Sequence, residues 1–242
     1  LVEANLKDSK NDKKKPLALA LRGKALVELN RNAEAVASCR EALSLGRNEP
    51  EVAETVLGLA KSLGESGAMD EAIALYSIFT EAAQGHPDLP QALFQCASLE
   101  MDKGRFAEAA RHFADSAANE SRGDWKFKAS LRSSQCLFEA GDYAAALRMA
   151  LAADTLDASP ALKEELSLTL AKSAFQLAIS SPATNAENGK LALERFSKLA
   201  SSATLPPDAK KSVVLLAGLS ATAIKDDVAA IKFLNQYLDG WS

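Results

Sequence analysis

The chain has 242 residues, a formal net charge of −4, 48% hydrophobic residues and only 6% aromatics. That balance excludes a broad basic field of the kind that holds nucleic-acid phosphates, and the longest apolar run, Val213 to Leu219, is too short to span a bilayer. Few glycines and many small apolar residues suit a close-packed helical stack, whose core is a ribbon of neighbour interfaces.

The elements recur every 37 residues, a period that marks a repeat array. Leu1 to Leu6 stand one period ahead of a second helix, so a fragment or processed form of a longer array is expected. Lys7 to Lys15 carry five lysines and two aspartates and read as a solvated inter-repeat loop. Residues 1–15 are thus a helix tail plus basic loop, and residues 16–242 form the array.

Pro16 opens the first repeat, which carries Gly23, then Asn30, then Ala35 and Cys39. The same positions hold Ala60, Gly67, Ala72 and Tyr76 in the second repeat, and Ala97, Gly104, Ala109 and Phe113 in the third. The fourth has Ser134, Gly141, Ala146 and Ala150. The small residue lets two backbones approach, and Gly or Asn suits a left-handed turn between helices. The alanine and the residue four later share one face of the second helix.

In the fifth repeat Ala171 marks a first helix from about Leu162 to Ile179, and its partner, with Ala192 and Phe196, arrives nine residues late. The inserted Ser180 to Asn188 is rich in Ser, Pro and Asn and reads as an exposed loop. Ala217, Ala229 and Phe233 supply the sixth repeat, and Trp241 is expected to cover apolar surface beyond it.

Small residue, turn glycine, alanine and aromatic in this order resembles the tetratricopeptide repeat, most closely in Gly104-Arg105-Phe106-Ala107-Glu108-Ala109-Ala110-Arg111-His112-Phe113. The family's early Trp is replaced by Leu19, Val56, Leu93 and Ser130, and Arg22 stands where a leucine is usual. The resemblance implies an all-α fold, a right-handed superhelical solenoid of about six helix-turn-helix repeats. It also implies a non-catalytic protein-protein interaction scaffold.

In that family first helices line a concave groove. Carried over by position, the groove candidates are Lys24, Lys61, Phe94, Met101, Lys128, Leu131, Phe138, Lys172 and Phe175. Further candidates are Val27, Leu57, Gln91, Ser98, Gln135, Leu168 and Gln176. Aromatic anchors would bury against a peptide or helix of a protein partner, and the lysines favour an acidic ligand. The carboxylate clamp of some members is not supported, because Ala20 and Lys24 occupy the first two of its positions. Two alternatives stay open: a nucleic-acid-binding array of the pentatricopeptide kind, and self-association through the open solenoid ends.

No catalytic, cofactor or metal motif is legible. Cys39, Cys96 and Cys136 have no metal spacing, and Cys39 and Cys96 read as buried small hydrophobes. His86 lies in an inter-repeat turn, His112 is expected to face outward, and neither HExxH nor CxxC occurs. Reduced cysteines favour the cytoplasm, whereas the 37-residue period with Pro50 and Pro87 resembles bacterial envelope arrays. The compartment is left undecided between them.

Overall fold

The computed structural model describes residues 14–46, 49–180 and 185–240, and these contain helices and no strand. The expected helix tail, most of the basic loop, and Trp241 lie outside the described residues. Three hairpins build a first unit that ends at Asn119: α1 (Lys15–Glu28) with α2 (Asn32–Gly46), α3 (Pro50–Glu65) with α4 (Met69–Ala82), and α5 (Leu89–Asp102) with α6 (Phe106–Asn119). Three more build a second unit from Glu120: α7 (Gly123–Glu139) with α8 (Tyr143–Asp154), α9 (Pro160–Ser180) with α10 (Asn185–Ala200), and α11 (Pro207–Ala223) with α12 (Asp227–Gly240).

The hairpin turn is chemically the same in five of the six. Asn30, Gly67, Gly104, Gly141 and Lys225 have φ of 57°, 87°, 71°, 82° and 61°. At Gly104 the backbone N–H donates to the Met101 carbonyl at 2.9 Å, and the next N–H, of Arg105, reaches back to the Glu100 carbonyl at 2.8 Å. This pair of bonds satisfies carbonyls that a helix end otherwise leaves open. It recurs at Asn30/Arg31, Gly67/Ala68, Gly141/Asp142 and Lys225/Asp226. At Asn30, Gly67, Gly104 and Gly141 the local sequence thus ends the first helix and aims its partner.

The small-residue register is where the two helices touch. Ala60, Ala97, Ser134 and Ala171 are all 0% exposed, as are Ala35, Ala72, Ala109, Ala146 and Ala192. A Cβ placed on Gly23 would sit 2.6 Å from Cys39 Sγ, so the glycine is there for space. First helices then stack within each unit, α1 on α3, α7 on α9 and α9 on α11, while α2 stacks on α4. The first core gathers Leu43, Val56, Leu63 and Phe79, and the second gathers Phe127, Leu166, Leu170 and Phe196.

The structure corrects the expected register in two places. Asn185–Asn188 begin α10 instead of completing an exposed loop, so only residues 181–184 of the expected insertion lie outside the described helices. The added length goes into packing: Gly189 is buried with Ala178 and Ile224 against it. In the sixth hairpin the turn at Lys225 places the equivalents at Gly218, Ala230 and Leu234, one residue later than Ala217, Ala229 and Phe233. A Cβ on Gly218 would meet Leu234 Cδ2 at 2.8 Å, as one on Gly23 meets Cys39. Ala217 and Phe233 are buried as well, at 0% and 7% exposure, so apolarity alone does not reveal the step.

Candidate functional site

Residues four apart on one face of a helix present a common surface, and two such rows meet in the first unit. Leu57, Lys61 and Glu65 of α3 face Gln91, Gln95 and Leu99 of α5 across a cleft of about 600 Å³. The buried Tyr76 of α4 also reaches it, and burial pushes that phenol up to about 12, so it stays neutral. Gly58 offers bare backbone here, with open space where a Cβ would stand.

The charges of this cleft are mostly negative. Glu54 and Asp88 join Glu65 in its lining, against Lys61 alone, and Lys61 Nζ lies 3.9 Å from Glu65. Both side chains of that pair are more than two-thirds exposed, so the pair adds little to the stability of the fold.

The nine groove candidates divide between the units. In the first, Lys24 and Lys61 are exposed and Lys61 lines the cleft. Phe94 is half-buried with its ring edge-on to the fully buried Phe113, 4.9 Å between centroids. It leans on the second helix of its own hairpin, and neither it nor the half-buried Met101 lines the cleft. In the second unit Leu131 is 1% exposed and packs with Phe127 and Leu166, so it belongs to the core and not to a groove. The same core cluster takes Leu147 of α8 and Leu170 of α9.

Phe138 packs at 5.2 Å on Tyr143 of the following helix, and Phe175 is half-buried against the second core. Lys128 holds its ammonium 5.1 Å from the centre of the Trp125 ring, and Lys172 is half-buried. The further candidate Gln135 donates to Glu165 at 2.8 Å, and Arg132 donates to the same oxygen at 2.9 Å. A polar network thus ties α7 to α9 where sequence suggested a free groove. Glu54, Glu65, Gln95 and Leu99 were not anticipated, although the first three each fall one helical turn from an anticipated residue and Leu99 falls two turns from Gln91.

A second cluster was hidden from sequence reading altogether. Cys96 and Glu100 of α5 and His112 of α6 bring their ligand atoms within 4.8 Å of one another. His112 Nδ1 lies 2.7 Å from Glu100 Oε2, and its side chain is 13% exposed, so the ring turns inward and not outward as expected. The Cys96 sulfur and the Glu100 carboxylate favour the charged ring, pushing His112 up to about 10 against its burial.

The sequence profile of the tetratricopeptide repeat matches residues 20–87 and 94–161, more than half of the chain. The chain belongs to the tetratricopeptide repeat family. Solved tetratricopeptide-type structures share its fold at low identity. The C-terminal part of a repeat protein from Cytophaga hutchinsonii is 17% identical with a TM-score of 0.55, covering 100% of this chain and 93% of that one. MamA from Desulfovibrio magneticus RS-1 (residues 41 to the end) is 16% identical with a TM-score of 0.52, covering 77% and 93%. A MamA RS-1 double mutant gives 17% and 0.55 over the same shares. No curated protein matches the sequence. Within the tetratricopeptide family this chain keeps the small-residue and turn positions and drops the early tryptophan, whose place Leu19, Val56, Leu93 and Ser130 fill as buried residues.

Proposed function

We propose that this tetratricopeptide repeat protein is a non-catalytic interaction scaffold whose cleft between α3 and α5 receives a peptide segment of a protein partner. The observation that supports this reading is the facing pair of four-residue rows. Leu57 and Leu99 supply apolar contact, Gln91 and Gln95 supply amides able to pair with a peptide backbone, and all line one opening. An apolar patch rimmed by polar groups is the usual form of such a surface.

The charge of the lining sets the ligand. Three carboxylates against one lysine select a segment with cationic side chains, which departs from the acidic ligand that the sequence lysines favour. The same charge gives no support to a nucleic-acid-binding array.

The test is affinity capture with wild type beside a Leu57→Asp/Gln95→Arg double variant, matched for helical circular dichroism. Captured proteins are then mapped with overlapping peptides. Selective loss of a partner whose bound peptide is basic supports the reading. Equal capture by both folded proteins, or an acidic bound peptide, overturns it.

A further inference from the structure

The geometry points to a zinc-type metal site formed by Cys96, Glu100 and His112. Cys96 and Glu100 are four residues apart, which stacks them on one face of α5, and α6 brings His112 across from them. The three ligand atoms already lie within 4.8 Å of one another. In a tetrahedral site with bonds of about 2.0–2.3 Å, neighbouring ligand atoms stand roughly 3.3–3.6 Å apart. Binding therefore needs a contraction of at most about 1.5 Å around the sulfur and a slight opening of the 2.7 Å Glu100–His112 contact.

The donor set selects the metal. One thiolate, one imidazole and one carboxylate are borderline to soft in aggregate, which suits zinc and disfavours magnesium or calcium, cations that take oxygen ligands. Cys96 and Glu100 are 1% and 4% exposed, so water competes weakly for the cation. His112 lies at the solvent side and supplies the entry, with the Arg111 guanidinium 3.3 Å from its Nε2. Three protein ligands leave a fourth position for water. Ser77 Oγ of α4 lies 3.8 Å from the Cys96 sulfur.

A thiolate and a carboxylate together balance a divalent cation, with the imidazole as neutral third ligand, so the loaded site strands no net charge in the interior. The bound ion would staple α5 to α6 and so stiffen the third hairpin.

The experiment titrates the full, chelator-treated chain with cobalt(II), a spectroscopic stand-in for zinc, and then displaces it with zinc. One equivalent should bind with a thiolate-to-cobalt absorption band and leave when zinc is added. Cys96→Ser should lose the band, His112→Gln should weaken binding by roughly tenfold or more, and Cys39→Ser should behave as wild type. No band in the wild type, or a band that survives Cys96→Ser, overturns the assignment. If the Cys96 variant fails to fold, His112→Gln decides: unchanged affinity in that variant is equally fatal.

Discussion

Gly104 tests whether the turns are conserved in form because of backbone geometry or because of space. Its φ is +71°, and a Cβ built on it meets nothing within 4 Å. Replacing it with alanine therefore creates no clash, and the cost is the left-handed backbone itself, about 1–2 kcal/mol for an ordinary residue. The loss of glycine's unfolded-state freedom returns about 0.4–1 kcal/mol, leaving a net destabilisation of about 1 kcal/mol. Asparagine tolerates this region better, as Asn30 shows at the equivalent turn with φ of 57°. Gly104→Asn should thus cost clearly less than Gly104→Ala, and Gly104→Val should cost the most. Urea unfolding read by circular dichroism supplies the order, and hydrogen exchange at the Arg105 amide localises it, since that N–H holds the turn closed. Equal stability of the alanine and glycine proteins would refute the reasoning.

Gly23→Ala should destabilise by about 1–3 kcal/mol through overpacking, because its Cβ would stand 2.6 Å from Cys39 Sγ. Adding Cys39→Ala should recover part of that loss in a double-mutant cycle, and simple additivity would contradict the contact. Leu131→Ala should cost about 2–5 kcal/mol as a core truncation, measured by urea unfolding; a stable variant with altered binding would restore Leu131 to a groove. Glu120 accepts from the Arg122 side chain and backbone, which lower its carboxyl to about 2. Because the folded value lies below the ordinary 4.5, its contribution is present above pH 4.5 and is lost as pH falls towards 2. Glu120→Gln should flatten the acid limb of the stability profile in that window.

The repeat was legible because its determinants are local or periodic. A left-handed residue ends a helix whatever packs on it, so Asn30, Gly67, Gly104 and Gly141 could be read directly, and alanines at a fixed offset could only face the partner helix. Lys225 escaped because lysine carries no turn signal; its positive φ is imposed by the two bonds that close the turn and by the helices it joins. The same blindness hid the one-residue step at Gly218 and the helical start at Asn185, whose helix α10 packs Gly189 against Ala178 and Ile224 despite a polar, loop-like composition.

Function was less legible, for a reason of geometry. Sequence fixes which face of one helix a residue occupies, but a cleft is set by the spacing between two helices. Leu131 and Leu57 are both apolar first-helix residues, yet one is buried in the second core while the other lines the cleft between α3 and α5. Likewise nothing in the chain order joins Cys96 to His112, because the hairpin places them together only after Gly104 has turned α6 back onto α5. Sequence alone determined the helices, their pairing and the family. Tertiary packing alone decided which side chains stayed exposed, which charges met, and where a partner or an ion could enter.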